Sequence, residues 1–321
     1  MFEVITFGSA TQDIFLELTK TEINGSNFCL PLGGKVLVDE MQTFSGGGGT
    51  NVACSLANLG IKTAYCGKIG NDDPGKNILS DLAKYKVNPR FCLRDKTIAT
   101  AVSFIISCEK DRTVLVFWGA CHFLLKSEIN FKEIQKTKWF YLAPFYEKTA
   151  ELFGELIDFA RNNNIKVAAN PSMFQIEKED QNINSLLPKI DLLLLNKEEA
   201  KVLTKNPNAS VEETAKIIRR SCPGIIVITQ GDDGALVFDS SHFYKISIYK
   251  VAVADKTGAG DSFGAGFLAG LLKENNIEYA CCLAMVNSAK NISQEGAKNG
   301  LLEKAELKFL PKIDIVKERA F

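Results

Sequence analysis

Two short runs, Asp191–Leu195 within DLLLLN and Ile225–Thr229 within GIIVIT, constrain the fold more than anything else in this chain. Each is too short for a stable helix and lacks the polar alternation of a half-solvated strand. A strand that is apolar on both sides must be covered on both sides, and a parallel sheet sandwiched between helices meets that condition. Similar runs occur at Val4–Phe7, Thr63–Cys66, Trp139–Leu142 and Lys166–Ala169, with amphipathic segments between them. In Glu147–Asn163, Leu152, Phe153, Leu156, Ile157 and Ala160 recur at helical spacing and share one face. This rhythm predicts a doubly wound, mostly parallel α/β sheet sandwich.

Two regions break the rhythm. Residues 12–45 carry strand-like pieces, Ile14–Leu18 and Lys35–Asp39, with no helix between them. Residues 97–118 read as a hairpin with a polar turn at Glu109–Arg112. Paired together, they predict a small discontinuous β-sheet lid, from about 12–45 and 97–118, on a single domain spanning 1–321. The alternative is that they are edge strands of the main sheet.

Charge and composition exclude several classes. Lys plus Arg and Asp plus Glu both number 38, so no net charge draws the chain to nucleic acid or to an anionic membrane. No apolar stretch approaches the ~18 residues of a membrane helix, and the N-terminus lacks the pattern of a signal peptide. The nine cysteines are odd in number and scattered, with no C-x-x-C, and there are only two histidines, His122 and His242. Neither a disulfide framework nor a multi-histidine metal site is expected, and a reducing cytoplasm fits.

The chemistry concentrates in residues 253–272, VADKTGAGDSFGAGFLAGLL. A strand-like run leads into Gly258-Ala259-Gly260-Asp261 and then a helix rich in small residues. Small side chains leave backbone N–H groups open at a helix N-terminus, where they and the helix dipole attract phosphate oxygens. An acid inside such an anion site is costly, but Asp261 there can accept a proton from an attacking hydroxyl. A tight turn with Asp261 as a plain cap is the structural alternative. No G-x-x-x-x-G-K-[ST] is present, and the glycines at 258, 260 and 264 are one residue too widely spaced for the dinucleotide fingerprint.

Three further segments are suggestive only in combination. In FSGGGGTNVACSLANLG, residues 44–60, four glycines precede a helix predicted over Thr50–Leu59, and they permit close ligand approach or a flexible hinge. Asn51 offers a donor and an acceptor to a polyol, and Asp13, after the first strand, offers acceptors. In DLLLLNKEEA, Asn196 and Glu199 face the same way at a helix start. They suit a hydrated Mg²⁺, but taken alone the pattern reads first as a helix cap with solvated Glu198 and Glu199. In ITQGDDGALVF, Thr229, Gly231 and Gly234 lie in a strand–turn–strand that reads as a hairpin or a nucleotide-contacting turn.

Taken in this order, these segments resemble the ribokinase-like (PfkB) carbohydrate kinase family over nearly the whole chain, from Asp13 to Ser293–Ala297 (SQEGA). Asn51, Ala53, Gly60 and Gly70 match its N-terminal signature and TGAGDSFGAGF its C-terminal one. The resemblance implies ATP and Mg²⁺ as cofactors and, in many members, activation by a monovalent cation such as K⁺. By position it makes Asp261 the catalytic base and Gly258, Ala259 and Gly260 the anion hole. It gives Asp13, Gly47 and Asn51 to the sugar, and Asn196, Glu199, Thr229, Gly231 and Gly234 to the nucleotide. Glu199 would act on Mg²⁺ indirectly, and Asp255 would be a ligand of the monovalent cation. Lys256 departs from the family, which usually has Thr, Val, Pro or Ser there. A cation at that position either repels K⁺ or adds positive charge beside the phosphates.

The expected activity is phosphorylation of a pentose or hexose hydroxyl by ATP. Gly48 stands where many relatives have Lys and residues 44–60 hold no cation, which argues against a phosphorylated substrate, although the lid cations Arg90, Arg94 and Arg112 remain. The alternatives are a nucleoside kinase, with Phe104, Phe117 or Trp118 stacking a base, and a non-catalytic sugar-binding regulator. Exposed lid edges suggest a homodimer.

Overall fold

The structure is a computed structural model that describes residues 1–18, 22–24, 27–107, 112–178 and 183–320. Its early strands are β1 (Val4–Phe7), β2 (Thr11–Glu17), β3 (Glu22–Asn24), β4 (Asn27–Cys29), β5 (Glu40–Gly46), β6 (Thr63–Gly70) and β7 (Asn88–Asp95). They are followed by β8 (Ala101–Ser107), β9 (Arg112–Phe117), β10 (Trp139–Leu142), β11 (Lys166–Ala169) and β12 (Leu192–Asn196). The last are β13 (Ile225–Thr229), β14 (Ala235–Phe238), β15 (His242–Ile246) and β16 (Ile315–Arg319). The longer helices are α1 (Gly48–Asn58), α2 (Asp73–Lys84), α3 (Leu152–Asn162), α4 (Lys197–Thr204), α5 (Val211–Arg219), α6 (Ala259–Glu274) and α7 (Ile277–Ile292).

Ten strands form the main sheet in the order β16-β15-β14-β13-β12-β11-β10-β1-β6-β7. It is parallel from β7 through β13 and antiparallel from β13 to β16. The uniformly apolar runs are explained by its two covered faces. Leu193 and Leu195 join α3 and α5 residues in one core, while Leu192 and Leu194 join Phe263, Phe267, Ala280 and Ala284 in the other. The small residues of α6 have a packing use: a Cβ at Gly266 or Gly270 would run into the α7 backbone at Ala284 or Ala280.

The smaller sheet has the order β5-β2-β8-β9. β2 runs antiparallel to β5 and parallel to β8, and β9 returns antiparallel to β8. Lys35–Asp39 is not a strand, contrary to the pattern read from sequence. The strand is Glu40–Gly46, because pairing runs from Thr11 opposite Gly46 to Glu17 opposite Glu40 and ends where β2 ends. Arg90 and Arg94, read as lid cations, lie instead on β7 at the edge of the main sheet, where Arg90 pairs with Glu133. Glu109–Asp111, in the polar turn, lie outside the described residues.

The chain passes from β1 into β2 through residues 8–10, and from β5 directly into α1 through the glycine run. The two sheets therefore meet at the carboxyl end of β1, and Asp13 and Asn51 flank that junction. Among the described residues, no helix is long and apolar enough to cross a membrane, and the eight described cysteines are all free.

Candidate active site

The glycine run makes a turn that is almost wholly satisfied by the chain itself. Gly47 has φ 92°, and a Cβ there would lie 2.5 Å from the Ser9 carbonyl oxygen. Gly48 N–H donates to Ser9 Oγ at 3.1 Å, and Gly49 and Thr50 N–H donate to the Ser9 carbonyl at 3.1 and 3.4 Å. Thr50 Oγ1 donates back to the Gly46 carbonyl at 2.6 Å. This rigid start of α1 aims Asn51 inward. Asn51 is buried, and its Nδ2 donates to Asp261 Oδ2 at 2.8 Å. Its Oδ1 is buried without a hydrogen-bond partner. Asp13, on β2, accepts from Thr11 Oγ1 at 3.0 Å. Burial raises its carboxyl above the ordinary range, against the opposing pull of Thr11, Lys298 and Ser103.

The second turn is open. Gly258 is the N-cap of α6 with φ 79°, and a Cβ there would lie 2.9 Å from Ala297 backbone atoms. No side chain caps this helix, and the Gly260 and Asp261 N–H groups find no acceptor among the described residues. Asp261 sits in the first turn, half-buried, with its carboxyl raised by burial. The Asn51 hydrogen bond and the Lys298 charge pull it back down, while Asp13 pushes it further up.

Sequence reasoning missed Lys298, one residue beyond the segment that carried the resemblance. It is buried, and its Nζ donates to Ser45 Oγ at 2.6 Å; that hydroxyl donates in turn to Asp81 Oδ2 at 2.6 Å. Burial lowers its ammonium pKa, opposed by Cys54, Asp81, Asp13 and Asp261. Nothing in its sequence neighbourhood marks a lysine that reaches back across 253 positions to Ser45. Tyr146 was missed as well. It follows β10 and lies close enough to Asp261 and Glu199 for both carboxylates to raise its hydroxyl pKa, after the larger effect of burial.

Asp255 is held by neighbours. Oδ1 accepts from Arg112 Nη1 at 2.8 Å, Thr257 N–H at 3.0 Å and Thr257 Oγ1 at 2.7 Å, and Oδ2 accepts from Gly296 N–H at 3.1 Å. Burial raises this carboxyl, but the Thr257, Gly296 and Arg112 hydrogen bonds prevail and hold it below the ordinary range. Lys256 pairs instead with Asp232, Nζ lying 3.6 Å from Oδ2 with both side chains exposed, and both residues line the cavity beside the open turn.

Beside the open turn lies a cavity of about 400 Å³. Thr229, Gly231 and Gly234 line one side, Ala259 and Gly260 the other, and Val251, Val253, Phe263, Met285 and Ala289 supply apolar walls. Asn196 and Glu199 form a reciprocal capping box at the start of α4: Glu199 N–H donates to Asn196 Oδ1, and Asn196 N–H to Glu199 Oε2, each at 2.8 Å. Thus Asn51 and Asp261 touch directly, Asp13 acts on Asp261 through charge alone, and the predicted nucleotide turn shares one cavity with Ala259 and Gly260 of the expected anion hole. Asn196 and Glu199 stand at the carboxyl end of the neighbouring strand.

The family model for pfkB family carbohydrate kinases matches residues 1–305. The ribokinase of Lactococcus lactis is 28% identical over 324 residues, covering 96% of each chain. An Escherichia coli protein described as a candidate ribokinase II, solved with ATP and Mg²⁺, superposes with a TM-score of 0.83 at 17% identity, covering 97% of this chain and 99% of its own. The Arabidopsis thaliana ribokinase solved with ribose and ATP gives a TM-score of 0.81 at 20% identity, with 96% and 98% covered. With its fold and the family match in agreement, this chain belongs to the pfkB family of carbohydrate kinases, ATP-dependent phosphotransferases that act on sugars.

Proposed function

We propose that the protein transfers the γ-phosphoryl group of ATP to a hydroxyl of a free pentose or hexose, with Asp261 as general base. One observation carries this reading: Asn51 bridges to Asp261 while its own Oδ1 is buried and unpartnered, beside a helix start with unclaimed N–H groups. A sugar hydroxyl donating to Asn51 Oδ1 would complete that amide and sit next to the base. The smaller sheet then serves as a lid, and Asp13 on β2 accepts further sugar hydroxyls.

In this reading the Asp261 carboxylate takes the hydroxyl proton as the sugar oxygen attacks the γ-phosphorus and the bond to the β-phosphate oxygen breaks, releasing ADP. The free N–H groups of Gly260 and Asp261 receive the charge that gathers on the transferred group, while Ala259 N–H donates to the Lys256 carbonyl at 3.3 Å. The cavity between Thr229 and Gly260 fits an adenine and ribose by its apolar walls and volume. Asn196 and Glu199 fit Mg²⁺ as an oxygen pair acting through water, and the metal would supply positive charge to the phosphates. Residues 44–60 carry no cation and Lys298 is already tied to Ser45, which favours an unphosphorylated sugar.

A nucleoside remains the second reading because Trp118, packed against His122 and Tyr146, offers an aromatic wall near Asp261. Incubating ATP with a panel of pentoses, hexoses and nucleosides and measuring ADP release separates the two. Turnover with a sugar supports the main reading, and turnover with nucleosides alone replaces it. Sugar-dependent thermal stabilisation without any turnover would identify a non-catalytic binder. We also propose that a second copy pairs along the small sheet, whose outer strand β9 is exposed at every residue. Monomeric mass by light scattering would refute that.

A further inference from the structure

The family resemblance implies a monovalent cation at Asp255, and the surroundings of that carboxylate do not fit one. Both oxygens are engaged: Arg112 and Thr257 donate to Oδ1 and Gly296 to Oδ2. Arg112 Nη1 also lies 3.2 Å from Thr257 Oγ1, so the guanidinium closes over the loop that leads into Gly258. A soluble cation placed there would meet a like charge within contact range. The pair is also unlike the surface ion pairs of this protein. The Asp255 side chain is 6% exposed against 40% for Arg112, so loss of the arginine would leave a buried charge uncompensated.

Arg112 opens β9 in the small sheet, and Asp255 belongs to the turn that presents the open helix N-terminus. One ion pair therefore ties the sheet that bears Asp13 to the turn that bears Asp261. We infer that Arg112 is a built-in replacement for the monovalent cation, neutralising Asp255 and positioning the 255–260 turn, so that the protein works without K⁺. Arg112 is a positioning residue, since it acts through Asp255 and Thr257. The catalytic part of this inference rests on the kinase reading above.

The test compares wild type, Arg112→Met and Arg112→Lys in KCl, NaCl and tetramethylammonium chloride at equal ionic strength, reading both Tm and kcat/KM for ATP. Wild type is expected to give the same Tm and turnover in all three salts. In tetramethylammonium, Arg112→Met should lose about tenfold in kcat/KM. In K⁺ it should recover, with Tm rising by about 2 °C as the ion binds the vacated carboxylate. Arg112→Lys should stay insensitive to the salt. A wild-type Tm or turnover that rises in K⁺ overturns the inference, as does an Arg112→Met protein that matches wild type in every salt. The Tm comparison needs no substrate, so it decides the cation question even if no sugar is phosphorylated.

Discussion

The two glycine turns are joined by the Asn51–Asp261 hydrogen bond and do opposite things. At Gly46–Gly49 the chain fills its own helix start: Ser9 takes three N–H groups and Thr50 closes the turn. At Gly258–Asp261 no side chain caps the helix. Both are loops of small residues before a helix, and only the fate of their N–H groups separates them. A satisfied helix start is a fixture that holds a side chain, here Asn51, and an unsatisfied one keeps N–H groups with which it can bind an anion.

The largest expected effect tests the open turn. Asp261→Asn should lower kcat by about 10²–10⁴-fold, the range of a positioned base, while ATP binding measured by calorimetry is kept. Its raised carboxyl pKa also sets a sign for stability. A carboxylate with a raised folded-state pKa is destabilising once pH exceeds that pKa, so the variant should melt slightly higher than wild type at neutral pH. Wild-type turnover in this variant would remove the base assignment.

The next effect compares the turns directly. Gly258→Ala places a Cβ against Ala297 in a left-handed conformation and should distort the anion site, costing about 10²-fold in kcat with the sugar KM little changed. Gly47→Ala should instead raise the sugar KM and lower Tm, because its turn holds Asn51. Identical kinetic signatures for the two variants would erase the distinction between fixture and anion site.

Smaller again is the pH dependence. The proposed base Asp261 has to be deprotonated to accept a proton, so kcat/KM should fall as pH drops through a pKa above the usual aspartate value. Lys298→Met removes a charge that pulls this pKa down, and the acid limb of the profile should move to higher pH. A limb that stays in place would show that Lys298 is electrostatically remote. The smallest effect belongs to Asn196→Ala, which breaks the capping box of α4 and should cost about 1 kcal/mol of stability by denaturant unfolding. A loss confined to ATP affinity would instead mean that this pair serves the nucleotide more than the helix.

Much of this molecule was legible in advance because local patterns carried it. Five of six expected strands begin where the apolar runs begin, and Leu152 through Ala160 form one buried helix face. The small sheet was legible only as a break in rhythm. Its register depends on β2 meeting β5 and β8, which lie tens of residues away, and so Lys35–Asp39 was mistaken for the strand that starts at Glu40. Within the site, Gly258–Asp261 and Asn51 stood out by their glycine setting, whereas Lys298, Tyr146 and the Arg112 partner of Asp255 had no local mark.

The sequence by itself determined the covered parallel sheet, the two glycine turns and the acid placed in the second, since burial on both faces and left-handed backbone are written in residue types. Only the tertiary structure decided which turn is satisfied, that Asn51 bonds Asp261 across 210 positions, and that Asp255 is held by Arg112. Those outcomes depend on hydrogen bonds between segments distant in the chain. Each donor chooses its acceptor only after the sheets have brought them within reach, and no local pattern encodes that choice.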